Sequence, residues 1–420
     1  MNLRPFPLLP ACVLLLASAL ACNDSTAPEG DQPAPGLVLG RRLAAGENVA
    51  CALTTAGKVF CWGINTPYWE YGAPVGSIPG GISPTAAAAP VVASLARGVG
   101  PHFCGIGAGK DGVCWGRDGA GQLGRGYIGP NGNAAGKVGG ALRWTDLAVG
   151  RLTTCGIAET GAGYCWGRNQ YGVIGTARIP IDAFVFLPSA IDGGHLFKSI
   201  SAGWLHTCAV ATDGTAYCWG NNLYGQLGIN ASDTSSRNIP TVVSESLKFT
   251  EVSAGSRYTC GLTTTGDAYC WGANATGQLG DGTTITRAAP VLVSGGRKYT
   301  QLVTSSGFGD GTAVTVPFSG DLVGTYGHTC ALATDGRAYC WGWNGSGQLG
   351  DGTQTDRHVP TAVSGTQTFS TLAAGGAFTC GMLIDNVWCW GSNVQGQVGS
   401  GDGDRVLLSP RAVGAPFRNP

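Results

Sequence analysis

The sequence has few charged residues, and the two signs are balanced. Only 12% of the 420 residues are charged, with 25 Lys and Arg against 25 Asp and Glu. A protein that binds the phosphate backbone of nucleic acid needs a basic stripe on its surface. This composition offers none, so we do not expect a nucleic-acid partner.

The sequence also lacks the motifs of the common enzyme classes. It has no phosphate-binding loop, no helical zinc motif and no nucleophile elbow, and its five histidines have no matched acidic partners. Asp402 and Asp404 in the segment GDGD could touch a cation, but the pattern favours a turn. We therefore expect a protein that is not an enzyme and that holds no metal and no cofactor.

In place of a long helical pattern, the chain carries one segment seven times. Its clearest copy, at 328–350, reads HTCALATDGRAYCWGWNGSGQLG, and the first cysteines of successive copies lie 50 to 53 residues apart, with one interval of 70. That spacing is typical of a four-stranded propeller blade. The sequence predicts an all-β fold, a seven-bladed β-propeller of four-stranded blades. The approximate blades are 39–93, 94–142, 143–192, 193–246, 247–296, 297–367 and 368–415.

Each copy contains two cysteines, and Trp-Gly follows the second. In the fourth copy, Thr212, Asp213 and Gly214 suit a three-residue hairpin loop with Gly in the left-handed position, which sets Cys208 opposite Cys218. Because side chains alternate along a strand, the cysteine and the tryptophan face opposite sides of the blade. The large face can then pack on the small face of the next blade.

Residues 1–21 read as an export signal, with an early Arg4 and an apolar run too short to be a comfortable membrane span. The end of this segment resembles a bacterial lipoprotein signal, in which Cys22 becomes the lipidated first residue; an ordinary signal peptide is the alternative. Residues 22–38 read as a flexible tether. We expect an exported lipoprotein anchored to the membrane of a bacterial cell envelope, at the outer membrane or cell surface.

Export and opposed cysteines together favour one disulfide within each blade. The pairs are Cys51 and Cys61, Cys104 and Cys114, Cys155 and Cys165, Cys208 and Cys218, Cys260 and Cys270, Cys330 and Cys340, and Cys380 and Cys389. One alternative is free cysteines packed as small apolar residues. Another is zinc, held by His102, His206 or His328 with the cysteines of the same blade, although only three ligands would converge.

Several motifs resemble the repeats of the regulator of chromosome condensation family. They are GQLG at 225–228, GQLGDGT at 277–283 and 347–353, AYCWG or GYCWG, and HTCA. The resemblance covers residues 39–415 and implies a seven-bladed propeller. The family includes chromatin-binding nucleotide-exchange factors for a nuclear GTPase and a secreted bacterial β-lactamase inhibitor, so it shares a scaffold and not an activity. Export would keep this chain away from a nuclear GTPase, and its balanced charge offers no basic surface for chromatin. We therefore do not expect guanine-nucleotide exchange.

Loop lengths indicate where a binding site lies. The second-to-third-strand turns are tight, whereas the connections on the opposite face vary most. Variable loops on a rigid scaffold are the usual place for binding sites. The candidate contact residues on this face are Tyr68, Trp69, Tyr71, Phe308, Phe318 and Tyr326.

We expect a monomeric protein-interaction scaffold whose partner is an envelope or extracellular protein that the sequence does not name. The alternative is a carbohydrate-binding or cryptic hydrolytic propeller, which requires ligand contacts from several blades around the central channel.

Overall fold

The computed structural model describes residues 40–63, 83, 85–86, 91–128, 132–229, 233–307, 326–401 and 403–417. These residues form a seven-bladed β-propeller, as the repeats predict. Each blade is built from four antiparallel strands, a to d from the centre outwards, that come from one continuous stretch of chain, and the sheet of blade three has one additional parallel strand. Within the described residues, no helix has the length and apolar character needed to cross a membrane.

The strands of the first four blades are as follows. Blade one has β1 (Leu43–Ala45), β2 (Val49–Leu53), β3 (Val59–Gly63) and β4 (Thr85–Ala86); blade two has β5 (Ser94–Leu95), β6 (Arg97–Gly98), β7 (His102–Ile106), β8 (Gly112–Gly116) and β9 (Gly132–Lys137). Blade three has β10 (Trp144–Val149), β11 (Thr153–Ala158), β12 (Gly163–Arg168) and β13 (Phe184–Ala190); blade four has β14 (Phe197–Ala202), β15 (His206–Ala211), β16 (Ala216–Gly220) and β17 (Arg237–Val242).

The remaining three blades repeat this plan. Blade five has β18 (Phe249–Ala254), β19 (Tyr258–Thr263), β20 (Ala268–Gly272) and β21 (Arg287–Leu292); blade six has β22 (Tyr299–Thr304), β23 (His328–Ala333), β24 (Ala338–Gly342) and β25 (Arg357–Ala362). Blade seven has β26 (Thr371–Ala374), β27 (Phe378–Leu383), β28 (Asn386–Ser392) and β29 (Val406–Ala412). In blade two the inner strand is interrupted, and β6 pairs in parallel with β10 of blade three.

The central hairpin of each blade has the predicted register. Cys208 lies opposite Cys218, and Gly214 in the turn has a φ of +89°. In copy two Lys110 takes the same left-handed position with a φ of +63°, and in the shorter turn of copy seven Ile384 does so with a φ of +56°. The turn geometry therefore persists where the sequence supplies no glycine.

All seven predicted disulfides are present, one in each blade. Their Cα atoms are 4.0 to 4.1 Å apart, the distance of directly opposed strand residues. The alternatives with free or zinc-bound cysteines are thus not supported. Seven disulfides indicate folding in an oxidising, exported compartment.

The core consists of seven apolar clusters, each between two neighbouring blades. In every cluster the cysteine pair of one blade packs with the tryptophan of the next, for example Cys208 and Cys218 with Trp271. The last cluster joins Cys380 and Cys389 of blade seven to Trp62 of blade one. This confirms the predicted packing of large faces on small faces, and it closes the ring without a strand shared between the terminal blades among the described residues.

One strand prediction is wrong. Most copies carry a proline-containing segment after the Gly-rich loop, and on this pattern APVV at 89–92 predicts the outer strand of copy one, but the structure places that strand at Thr85–Ala86. Cys61 pairs with Thr85, just as Cys218 pairs with Thr241. The repeated geometry of the third strand selects the segment that reproduces this register. The chain that follows joins blade two instead, where the Ala93 N–H donates to the Ile106 carbonyl at 2.7 Å. Copy two, which lacks the proline, still forms its outer strand at Gly132–Lys137.

Candidate functional site

The a-to-b and c-to-d connections lie on one side of the propeller, which we call the loop face. On this face the a-to-b turns of successive blades are joined by backbone contacts around the channel. The Trp204 N–H donates to the Gly255 carbonyl at 3.1 Å, and the Ser256 N–H donates to the Ser305 carbonyl at 3.2 Å. A Cβ at Gly203 would lie 2.4 Å from the Gly255 oxygen, so the close approach needs glycine. The backbone positions of the residues that follow these glycines are therefore held in place around the channel.

The c-to-d loops are held to the next blade by a buried network. The Gln226 carbonyl of blade four accepts hydrogen bonds from Trp271 Nε1 at 2.9 Å and from Thr259 Oγ1 at 2.8 Å, both in blade five. Because the Thr259 hydroxyl donates to that carbonyl, it accepts from His206 Nε2–H at 2.8 Å. Burial lowers the pKa of His206 to about 3, so the imidazole is neutral at physiological pH.

The same network occurs twice more around the ring. His102 contacts Thr154 at 2.6 Å and His328 contacts Thr379 at 2.8 Å. Burial lowers the pKa of each of these histidines to about 3 as well, and for His102 the nearby Arg117 charge adds to the effect. These three histidines, which a zinc site would need, thus serve as neutral hydrogen-bond donors between blades.

Side chains on this ring form what we call the arginine–aromatic arc: Arg151, Trp204, Tyr224, Arg257, Tyr326 and Trp343. The Arg151 guanidinium lies 4.6 Å from the centre of the Trp204 ring, and that of Arg257 lies 4.8 Å from the Tyr224 ring. The Tyr326 and Trp343 rings are 6.1 Å apart. Tyr326 is 52% exposed, and the other five side chains are half-buried. The arc spans the loops of blades three to six.

Only one of the six predicted contact residues lies within the described part of the chain. That residue, Tyr326, belongs to the arc. The other five, Tyr68, Trp69, Tyr71, Phe308 and Phe318, lie outside the described residues, as do Cys22 and Asp402. The carbonyl of Asp404 accepts a hydrogen bond from Asn393 Nδ2 at 2.7 Å.

Sequence reasoning missed the other five residues of the arc. A signal for three of them was present, because Arg151, Trp204 and Arg257 occupy the first or second place after the glycine that ends strand a. Copies two and seven carry Gly, Pro or Ala at these two places, so the bulky residues mark a position where the blades differ. Comparing the copies therefore predicts where Arg151, Trp204 and Arg257 lie. It does not predict which ring each guanidinium group contacts, because those contacts form between neighbouring blades.

The central channel is narrowed by an ionic cluster. Asp146 of blade three lies 3.6 Å from Arg41 and 3.8 Å from Arg97, and Arg97 lies 3.5 Å from Glu251 of blade five. Burial, followed by the Arg97 charge, lowers the pKa of Arg41 to about 10. The cavity beside this cluster has a volume of about 70 Å³. Small-molecule sites usually occupy about 300 to 1,000 Å³, so this cavity offers little room for one. A second cavity, which shares Arg41 and Gln301 with the first, has a volume of about 480 Å³.

The described geometry thus defines a disulfide-bonded propeller with an ordered loop face. Models described as the regulator of chromosome condensation (RCC1) repeat match residues 213–262, 265–312 and 335–382, and a second model of that description matches 41–67, 197–226 and 249–278. The chain is thus a seven-bladed propeller that contains RCC1-type repeats.

Curated relatives with similar sequences have varied roles. The chain is 31% identical over 291 residues to the ultraviolet-B receptor UVR8 of Arabidopsis thaliana, covering 60% of this chain and 65% of that protein. It is 29% identical over 235 residues to the probable E3 ubiquitin-protein ligase HERC4 of Mus musculus, covering 53% of this chain and 20% of that protein. The chain therefore spans less than two thirds of the length of either relative.

Solved structures show the same architecture. A chain in the crystal structure of Kap60 bound to yeast RCC1 (Prp20) superposes with a TM-score of 0.67 at 16% identity, covering 96% of this chain and 92% of that one. Human WBSCR16 superposes with a TM-score of 0.64 at 19% identity, covering 81% and 86% of the two chains. At these identities the likeness shows the fold alone.

Proposed function

We propose that this chain is an exported, non-enzymatic scaffold that binds a protein partner through its loop face. The observation that carries the proposal is the arginine–aromatic arc, which places four aromatic side chains and two arginines on adjoining loops, with Tyr326 exposed. Trp, Tyr and Arg are the residues that dominate binding energy at protein interfaces. The disulfides and the ring of backbone contacts fix the loops in advance, so binding costs little ordering entropy.

The test is affinity capture from the native envelope with mature protein from residue 23 onwards as bait. A Trp204→Ala, Tyr224→Ala double variant removes two rings of the arc. The matched control is Leu196→Ala, which removes a side chain that is 51% exposed on the opposite side of the propeller. We expect a partner that is retained by the parent protein and the control and lost by the double variant.

Two outcomes would contradict this function. A partner held equally by the double variant would place the site elsewhere. Retention on a glycan array without any protein partner would favour the carbohydrate-binding alternative, in which aromatic rings stack on sugars. Circular dichroism of each variant ensures that loss of binding is not loss of fold.

We also propose that Cys22 carries the lipid that anchors the propeller to the envelope membrane. The proposal is supported by the sequence Leu20-Ala21-Cys22 at the end of an apolar export segment. Cys22→Ala should move the protein from the membrane fraction to the soluble fraction and abolish incorporation of labelled fatty acid. Unchanged fractionation of the variant would show that no lipid is attached there.

A further inference from the structure

The larger of the two cavities lies on the side of the b-to-c turns, opposite the loop face, and we call it the turn-side cavity. Three blades line it, because their inner strands begin on this side. Arg41 and Arg42 come just before β1, Gln301 lies in β22, and Thr371 begins β26. The volume of about 480 Å³ falls within the roughly 300 to 1,000 Å³ that is usual for small-molecule sites.

The aliphatic wall of this cavity is formed by the end of β27 and the b-to-c turn of blade seven. Met382 is buried, Leu383 is half-buried, and Ile384 is 69% exposed. Among the large apolar side chains of the described residues, Ile384 is the most exposed. It also has a φ of +56°, a strained conformation for a β-branched residue, at a turn position where other copies carry glycine or lysine. Strained residues of this kind cluster at ligand sites.

The guanidinium group of Arg41 has an edge that the protein does not use. Its contacts with the Leu95 carbonyl at 3.2 Å and with Asp146 at 3.6 Å are both made by Nη1. Within the described part of the chain, neither Nε nor Nη2 donates a hydrogen bond. These two donors form the planar fork that binds a carboxylate through two parallel hydrogen bonds.

The charges around Arg41 are equal in number but loosely paired. Asp146 is shared between Arg41 at 3.6 Å and Arg97 at 3.8 Å, and Arg97 lies 3.5 Å from Glu251. Burial and then the Arg97 charge lower the pKa of Arg41 to about 10, so its surroundings disfavour the positive charge in spite of the two acids. A further carboxylate beside Arg41 would compensate that charge.

The second arginine of the cavity has a structural task. Arg42 Nε donates to the Leu53 carbonyl at 2.9 Å, Nη1 donates to the Ile384 carbonyl at 2.8 Å, and Nη2 donates to Asp385. All three nitrogens of the group are therefore engaged, and Asp385 is paired with Arg42. Arg42 holds the turn that carries the aliphatic wall, and it leaves ligand recognition to Arg41.

The remaining polar groups and the composition of the lining narrow the class of ligand. Thr371 Oγ1 accepts a hydrogen bond from Gln301 Nε2 at 3.3 Å, and its own O–H donates none within the described residues, so it can donate to a ligand. The described lining residues include no aromatic ring on which a sugar could stack. They combine a free guanidinium edge, a hydroxyl donor and an aliphatic wall.

We propose that the turn-side cavity binds a small amphipathic carboxylate. The carboxylate lies on the Nε and Nη2 edge of Arg41 with the Thr371 hydroxyl as a further donor, and the aliphatic part packs against Leu383 and Ile384. Because the cavity and the arginine–aromatic arc are on opposite sides of the propeller, this site goes beyond the proposed function and does not depend on it.

The experiment is calorimetric titration of octanoate into protein from residue 23 onwards. Two matched probes separate the parts of the ligand: acetate lacks the aliphatic chain, and octan-1-ol lacks the carboxylate. We expect one octanoate to bind per protein, at least about tenfold more tightly than either matched probe, because charge-assisted hydrogen bonds and apolar burial each contribute to affinity.

Variants of the head and tail sites assign the binding to the cavity. Arg41→Gln should weaken octanoate binding at least about tenfold, and Arg41→Lys should restore only part of it, because lysine lacks the planar fork. Ile384→Gly should weaken binding by about three- to tenfold through the loss of apolar contact. This variant should stay folded, since glycine suits the left-handed position that Ile384 occupies.

The matched controls lie on the same side of the propeller but outside the cavity. Arg337→Gln removes the same charge from the b-to-c turn of blade six, and Leu196→Ala removes a side chain that is 51% exposed. Both controls should bind octanoate like the parent protein, and circular dichroism checks the fold of every variant. Absence of octanoate binding, equal affinity for octanoate and octan-1-ol, equal losses in the controls, or tighter binding of neutral sugars than of octanoate would each overturn the proposal.

Discussion

Trp62 Nε1 in blade one donates a hydrogen bond of 3.0 Å to the Gln397 carbonyl in blade seven, across 335 residues of sequence. The Trp62 ring also packs against Phe417, and the Gly376 N–H donates to the Glu47 carbonyl at 3.0 Å. The same bond from tryptophan to the preceding blade recurs around the ring, for example between Trp341 and the Gln278 carbonyl. The closing interface is thus one more copy of the ordinary contact between blades.

The first prediction concerns this closure. Trp62→Ala should lower the free energy of unfolding by about 3 to 5 kcal/mol, because it leaves a cavity between the terminal blades. Trp62→Phe, which retains much of the apolar contact, should cost less. Urea unfolding followed by circular dichroism measures both. A loss no larger than that of Trp343→Ala, a half-buried ring on the loop face, would contradict the assigned role.

The second prediction is a pH dependence caused by the buried histidines. Their pKa values are lowered to about 3 in the folded protein by burial, whereas an unfolded histidine titrates near its ordinary pKa of about 6.5. Between these values the unfolded chain binds protons that the folded protein does not. Stability is therefore fully present above about pH 6.5 and falls as the pH is lowered, by up to about 1.4 kcal/mol per pH unit for each histidine.

His206→Phe tests this linkage. Phe378 occupies the equivalent position in blade seven, so the substitution follows the repeat's own pattern. The unfolding free energies of the parent and the variant are measured from pH 7 to pH 4. The pH dependence of the parent should correspond to the uptake of about one more proton on unfolding than that of the variant. Parallel curves would show that His206 is protonated in the folded state or does not contribute.

The third prediction concerns the disulfides. All fourteen paired cysteines are at most 1% exposed. Reductant alone should therefore leave them oxidised, while reductant with urea should expose fourteen alkylatable thiols, as counted by mass spectrometry. A Cys208→Ala, Cys218→Ala double variant should still fold, but its free energy of unfolding should be lower by up to about 2 to 3 kcal/mol. Rapid reduction of the native protein would contradict the buried placement.

The fourth prediction concerns the channel cluster. Asp146→Asn leaves Arg41 and Arg97 beside a neutral amide. We expect the free energy of unfolding to fall by about 1 to 3 kcal/mol, because these side chains are only partly screened by water. The control is Asp111→Asn, which breaks a pair on the surface and should cost less than about 1 kcal/mol. Thermal unfolding of both variants makes the comparison. Equal effects would mean that the channel charges are solvated like those on the surface.

Position in the repeat does not by itself identify function. Thr259, Thr329 and Thr379 recur at one place and perform one task, since each donates to a Gln carbonyl of the preceding blade. Arg151, Trp204 and Ser256 also share one position in the repeat, just after the glycine of the a-to-b turn. These three side chains nevertheless differ in chemical type and do not perform a common task. The repeat pattern predicts the threonines' role and only the location of the variable residues.

The sequence by itself determined the number of blades, the hairpin register and the opposition of each cysteine pair, as Cys208 and Cys218 illustrate. These features are local: a strand, a short turn and a strand are specified within a dozen residues. The tertiary structure alone decided that Trp62 closes the ring on Gln397, that Thr85 forms the outer strand of blade one, and that Arg257 lies on Tyr224. Each of these depends on which surface of a neighbouring segment is within reach, and local periodicity carries no information about that choice.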